Sequence, residues 1–413
     1  LVVGLVLASG VLVGDWYVHH QWRAAQAALA EDRPQEAQSR LNVCLLIWPR
    51  DPNVHRLAAR AARLSGDLQD AEEHLNRCLK LQGGATEAVQ LEFLLLRVQG
   101  GELDDVAPTL IDSVEKDHPE SPIILETLSR AYMQRLRYRP AEACLNRWIE
   151  LRPAAAKAYH WRGWVLERLG NYKPARTDYL RALELAPDLI TVRLRVAEMY
   201  LEDKEAAEAL PHLERLRREA PDRPDVQSLW GVYHFLQGDA AEARRLLEPA
   251  AERLADTPSL LVYLARLDLQ EGRAADAERR LRQVLRADPG DTEALFNLAT
   301  AVRMQGRSDE ATAILRQHER YKALVNRTNQ LLQDQMDPAR AGPDIASEIG
   351  SLMLQVGRDK LGLYWLDQAL LKDPNHQPTH RVLAEYYERK GEVDKAAAHR
   401  RHLSQPLKTV PSP

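Results

Sequence analysis

Three residue types recur along this chain with one period. Pro119, Pro153, Pro187 and Pro221 stand 34 apart, and Pro289 follows at twice that interval. Ala141, Ala175, Ala209, Ala243, Ala277 and Ala311 keep the same spacing. Gly66, Gly100, Gly170, Gly238, Gly272 and Gly306 fall at intervals of 34, 70, 68, 34 and 34. A fixed period of this length restricts the fold sharply. Each unit is one supersecondary element too small to bury its own apolar face, so neighbours must stack into a continuous core.

The unit is clearest at 156–189. Tyr159, Arg162, Gly163 and Leu166 share one face of a helix by their spacing of three and four. Ala175, Tyr179 and Ala182 make the matching face of a second helix. Gly163 and Ala175 carry almost no side chain where two helix backbones must approach. Gly170 and Asn171 form the turn, because glycine tolerates the positive φ that closes a helix. Pro187 ends the second helix by removing a backbone donor. The chain has only three Phe, so small residues must do much of the packing, as in closely packed helices.

This pattern resembles the tetratricopeptide repeat, with Arg162 departing from the usual Leu. Aligned on the same register, eleven units begin near Val18, Pro52, Ala88, Pro122, Ala156, Ile190, Pro224, Pro258, Thr292, Pro343 and Gln377. The small position of the first helix is filled by a large residue only at Leu95. The small position of the second helix runs from Ala37 to Ala396, with Gly362 the one non-alanine. The resemblance implies an all-α fold, a right-handed superhelical solenoid of antiparallel helix pairs. Nine repeats are expected over 18–322 and two more over 343–404. The join between them carries 17 extra residues, read as a helical extension and linker over 323–342. One long helix is expected from about Ser308 to Met336, either as a docking ridge or as a tolerated insertion. The tail 405–413 is expected to be disordered.

The first residues differ from the rest. Leu1 to Gly14 carries no charge, and Trp16 and Tyr17 follow. The chain opens without Met, so a segment upstream of Leu1 is expected. The stretch 1–17 reads as the second half of a membrane span, with Trp16 and Tyr17 at the headgroup level. Two alternatives stay open: the apolar core of a cleaved signal peptide, or a buried first helix. The expected location is a single-pass membrane protein with its repeats outside the cytoplasm; the alternative is an exported soluble protein.

No catalytic motif stands out: there is no glycine-rich phosphate loop, no GxSxG and no HExxH. Cys44, Cys78 and Cys144 lie on apolar stripes and read as buried free thiols. His376 and His380 fall in a segment read as a loop, and His399 and His402 on a surface helix, so no metal site is expected. No cofactor and no small-molecule substrate are expected. A net charge of −4 argues against a bulk electrostatic nucleic-acid binder, and no nucleic acid is expected.

The resemblance implies an extended concave wall lined by the first helix of each repeat. Its inner stripe falls one, four, five and eight places after each repeat start. On this rule the candidate peptide groove carries Arg130, His160, Trp161, Trp164, Arg195, Tyr263, Arg266, Phe296 and Asn297. Aromatics interleaved with arginines are what peptide grooves use as anchors. Asn297 also fits one place of the family's carboxylate clamp, but Val262 and Arg266 stand where that clamp needs Lys and Asn, so the clamp is rejected. The expected function is a non-catalytic scaffold, probing other proteins for peptide segments while held at a membrane through Leu1–Gly14. The alternative is the substrate-recruiting arm of a larger enzyme, such as a repeat-bearing glycosyltransferase.

Overall fold

The structure is a computed structural model that describes the backbone at 2–254, 257–336, 340 and 342–403. Side chains are described from residue 16 onward within those ranges, except at 333, 335 and 336. The tail 405–413 and the side chains of Leu1–Gly14 lie outside the described residues.

The fold is an all-helical repeat solenoid, with 22 helices and no strand among the described residues. Its contacts divide the chain into two units, Leu1–Arg168 and Leu169–Pro413. In the first unit α1 (Val2–Ala30) pairs with α2 (Pro34–Ile47), and α3 (Pro52–Ser65) with α4 (Leu68–Gln82). There α5 (Glu87–Gln99) pairs with α6 (Leu103–Glu115), α7 (Ser121–Gln134) with α8 (Tyr138–Leu151), and α9 (Ala156–Arg168) closes the unit. The second unit opens with α10 (Tyr172–Leu185), then α11 (Ile190–Glu202) with α12 (Ala206–Glu219) and α13 (Pro224–Gln237) with α14 (Ala240–Arg253). It continues through α15 (Pro258–Gln270) with α16 (Ala274–Ala287) and α17 (Thr292–Met304) with α18 (Ser308–Met336). It ends with α19 (Pro343–Gln355) and α20 (Asp359–Lys372), then α21 (Gln377–Arg389) and α22 (Val393–Leu403). The boundary between units falls inside 156–189, a repeat whose spacing shows no break.

Local chemistry sets the helix ends. Proline occupies the first turn of α2, α3, α7, α13, α15, α19 and α21, where its missing N–H has no helical partner to lose. Aspartates cap others: the Asp67 carboxylate accepts from the Asp70 amide at 3.0 Å, and Asp291 from the Ala294 amide at 2.8 Å. Each turn between paired helices needs one residue in the left-handed region. Glycine supplies it at 66, 170, 238, 272, 306, 357 and 391. In the third repeat Gly101, with φ +114°, takes this role, while Gly100 of the sequence series is right-handed.

Asp32, Leu136 and Lys204 hold the same turn position without glycine, at φ of 58°, 58° and 61°. A side chain in this region costs roughly 1–2 kcal/mol, and Lys204 is exposed. Lys204→Gly is therefore expected to stabilise the second unit by about 1 kcal/mol, after glycine's entropic cost is subtracted. A lowered urea midpoint in that variant would contradict the turn geometry.

The small positions sit where the helices meet. All eleven residues at each small position are buried, including Leu95 and Ser129 at 0% exposure. A Cβ built on Gly231 would stand 2.6 Å from Leu247 Cγ, so α13 and α14 approach as closely as glycine allows. Between α19 and α20 two glycines face each other. A Cβ on Gly350 would meet the Gly362 carbonyl oxygen at 2.9 Å, and one on Gly362 would meet the Gly350 carbonyl oxygen at 3.0 Å.

The 17 extra residues keep α18 helical for 29 residues. Its added length is covered by its neighbours: Leu331 is buried with Ile349, Leu352 and Met353, and Trp365 packs against them. Arg327 donates to Glu348 at 2.8 Å across the same contact.

Two further details depart from expectation. His380 lies on α21, not in a loop, and is buried with its Nδ1 2.9 Å from His399 Nδ1 and its ring stacked on His402 at 4.1 Å. And α1 runs unbroken from Val2, so the first repeat continues directly from the N-terminal apolar stretch. Among the described residues, no helix is long and apolar enough to cross a membrane.

Candidate functional site

Within the first unit, α1, α3 and α7, together with the start of α9, enclose an open cavity of about 640 Å³. Helix α3 contributes Arg56, Leu57 and Arg60; α7 contributes Ile123, Glu126 and Thr127. Leu29 comes from the end of α1, Asp32 from the turn after it, Trp148 from α8 and Lys157 from α9. The helical period places each set on one face, so apolar and charged side chains alternate around the walls.

Ion pairs fix the polar groups. Lys157 Nζ lies 2.7 Å from a Glu126 carboxylate oxygen and 2.6 Å from one of Asp32. It thereby links the first turn of the unit to its last helix. Below the cavity floor, Glu92 of α5 is 1% exposed and accepts from Arg60 Nε at 2.5 Å and Arg63 Nε at 3.1 Å. Arg63, also 1% exposed, reaches Thr127 Oγ1 at 3.4 Å, and Arg60 reaches Glu120 at 3.3 Å. Burial alone would push the Glu92 carboxyl up; Arg63 and Arg60 outweigh it and hold it below the usual carboxylate range. Burial likewise works against the Arg60 charge, and Glu92 and Glu120 together raise it above its ordinary value.

The groove residues expected from the sequence fall in both units. In the first, Trp161 is half-buried against Trp148, with ring centroids 5.9 Å apart. The Arg130 guanidinium lies 5.3 Å from its ring and Lys157 Nζ 4.9 Å, both within cation–π range. Arg130 and Trp161 thus border the cavity through Glu126, Trp148 and Lys157. Trp164 packs instead on Tyr138 at 5.8 Å, under Arg168 at 4.9 Å. Burial, then Lys157, push the His160 imidazole down, favouring its neutral form.

In the second unit, Arg195 pairs with Glu198 at 2.7 Å and Glu202 at 3.2 Å. Tyr263 meets Phe235 edge-on at 5.3 Å, and Arg266 covers Phe235 at 4.5 Å while reaching Glu293 at 3.1 Å. Phe296 is exposed, 5.7 Å from His318. The Asn297 amide nitrogen donates to the Glu293 carbonyl of its own helix at 2.9 Å.

Tetratricopeptide-repeat family models match residues 52–77, 156–189, 227–249 and 268–326. In those segments the chain matches the tetratricopeptide repeat. A curated human relative, Tetratricopeptide repeat protein 21A, is 29% identical over 101 residues, which are 24% of this chain. The match spans 8% of that protein's length. Among solved structures, pilF of Pseudomonas aeruginosa is 20% identical, with 49% of this chain and 92% of that one covered and a TM-score of 0.40. The type IV pilus biogenesis factor PilW is 18% identical, with coverage of 48% and 91% and a TM-score of 0.40. A human IFIT1 dimer solved with m7Gppp-AAAA is 16% identical, with coverage of 86% and 90% and a TM-score of 0.41.

Tetratricopeptide register also explains what sequence reasoning missed. Places one, four, five and eight after the second, fourth and fifth repeat starts include Arg56, Leu57, Arg60, Ile123, Glu126, Thr127 and Lys157. All seven line the cavity. The same stripe rule therefore marks the early repeats, whereas the expected groove began at Arg130. The Glu92 network left no such signal, because Glu92 and Arg60 fall on the same wall stripe, where charge is ordinary. Among the described residues, no group of three or more His, Cys, Asp or Glu is placed to hold a metal ion. Cys44, Cys78 and Cys144 are buried free thiols, and burial pushes Cys144 up to about 12.

Proposed function

We propose that this chain is a membrane-tethered scaffold that holds a peptide segment of a partner protein in the cavity of its first unit. Tetratricopeptide repeats support a protein-binding role in general. The observation that carries the specific reading is the cavity itself: about 640 Å³, open to solvent, with Leu57 and Ile123 beside Arg56, Arg60 and Lys157. Apolar anchors flanked by fixed charges suit a peptide with one or two large side chains and an acidic neighbour. The uncharged stretch Leu1–Gly14 and the exposed Trp16 and Tyr17 support the tether, with the repeats on the extracytoplasmic side.

A displayed peptide library panned on the purified chain tests the binding role. Enriched peptides are expected, and Ile123→Glu should weaken them at least about 30-fold, the equivalent of a central anchor of about 2 kcal/mol. Ile123 is half-buried on the cavity wall, so the helical spectrum should persist. A library that yields no binders above a blank surface, or binders indifferent to Ile123→Glu, would sink this reading.

A further inference from the structure

The first hairpin carries an apolar tip that neither the repeat core nor the cavity uses. Leu46 is 83% exposed and Ile47 49%, at the C-terminal end of α2. Trp16 is 68% exposed and Tyr17 45%, on α1. Chain direction brings the two sets to one end of the hairpin. Helix α2 runs back along α1, so Cys44 Sγ lies 3.8 Å from the Val18 carbonyl oxygen and the Trp48 ring 4.6 Å from that of His19. Leu46, Ile47, Trp48, Trp16 and Tyr17 therefore stand at one level. The exposed Arg50 follows in the turn toward α3.

That end is also where the uncharged stretch leaves. Helix α1 is continuous from Val2, so Val2–Gly14 extends along the same axis, away from the repeats. If Gly14 marks the edge of the hydrocarbon, residue 19 stands about 7.5 Å further out, at 1.5 Å per residue. The interfacial zone outside the hydrocarbon core is about 5–7 Å deep on each side. Leu46 and Ile47 follow Cys44, which is level with Val18, so they lie nearer the hydrocarbon than residue 19 and fall within this zone, where Trp and Tyr rings concentrate, while Arg50 reaches phosphate from its outer edge.

On this geometry, and resting on the membrane tether proposed above, we infer that the Leu46–Arg50 tip is a second lipid contact, inserted in the headgroup region beside α1. The first hairpin then stands on the bilayer by two points, which fixes its tilt. The occupant is lipid because the tip lies level with the outer end of the apolar helix, and because its residues have the amphipathic mix of an interface.

The test places one environment-sensitive fluorophore on the full chain through Leu46→Cys, in vesicles of phosphatidylcholine and phosphatidylglycerol. The exposed Leu46 site tolerates the change, and the buried native thiols give a low labelling blank. Gln35→Cys, exposed at the opposite end of α2 and roughly 16.5 Å away, is the control. The expected result is co-flotation with vesicles, blue-shifted emission at position 46, quenching by lipid-borne nitroxide several-fold above that at position 35, and shielding from aqueous iodide. Co-flotation with an iodide-accessible probe at 46 would overturn the second contact and leave the tether standing. A probe shielded from iodide but not quenched by nitroxide would mean that protein covers the tip, which also overturns it. Failure to float would remove the tether, and this inference with it.

Discussion

Glu92→Gln is expected to cost the first unit about 3–5 kcal/mol, because it leaves the buried Arg63 guanidinium without its carboxylate, whereas Arg60 borders the open cavity. Arg63 is 1% exposed. Arg60 keeps Glu120 at 3.3 Å, so the loss falls mainly on Arg63. Replacing all three groups by apolar residues of similar volume should be close to neutral, since it removes the desolvation cost together with the attraction. The contrast between the single and triple variants in urea unfolding separates a buried charge network from ordinary packing. A single variant that loses less than about 1 kcal/mol would show that water reaches Arg63. Acid gives an independent check. The Glu92 carboxyl is held below its ordinary range in the folded chain. Its contribution is therefore complete above the unfolded value of about 4.3 and is lost as pH falls through the lower folded value. In Glu92→Gln that acid-side loss should be missing.

Gly350→Leu is expected to be the most damaging change in the second unit, at about 3 kcal/mol or more. A Cβ there would lie 2.7 Å from Leu366 Cγ and 2.9 Å from the backbone oxygen of Gly362. A side-chain tip can rotate away, but the carbonyl cannot move without separating α19 from α20. Gly350→Ala should already be clearly destabilising. Leu95→Ala, at the equivalent position of the third repeat, should also destabilise, but by leaving a cavity. The measurement is thermal unfolding with hydrogen exchange over 343–403. Unchanged protection there after Gly350→Leu would mean that the two helices are further apart than described.

These two sites differ in how visible they were. Gly350 and Gly362 occupy repeat positions that ten other units fill with small or buried residues, so a period of 34 exposes them directly. The helix starts were legible for the same reason: α3, α9, α11, α13, α15, α17, α19 and α21 begin at the residues that open their repeats. Glu92 and Arg63 were hidden, because pattern reading treats a charge on a helix as facing water, and only the meeting of α3, α5 and α7 shows otherwise. The cavity was half legible. Its lining obeys the stripe rule, but Lys157 meets Asp32 only after the intervening helices have curved the chain, and no local spacing encodes that curvature. His380 was misread because Pro378 suggested a loop, whereas a proline in the first turn of α21 starts a helix. Gly100 was misplaced by one because two glycines adjoin, and only the backbone angles tell which one turns left.

If the cavity holds a peptide as proposed, the Lys157–Asp32 contact bears on how that chain enters. It joins the first turn of that unit to α9, and Asp32 is half exposed. Such a pair contributes no more than about 1 kcal/mol and weakens as salt rises. A gate this weak opens sideways on thermal motion alone. A partner segment can then be laid in from the flank, with no free end to thread, so internal stretches of long or membrane-fixed proteins become as admissible as termini.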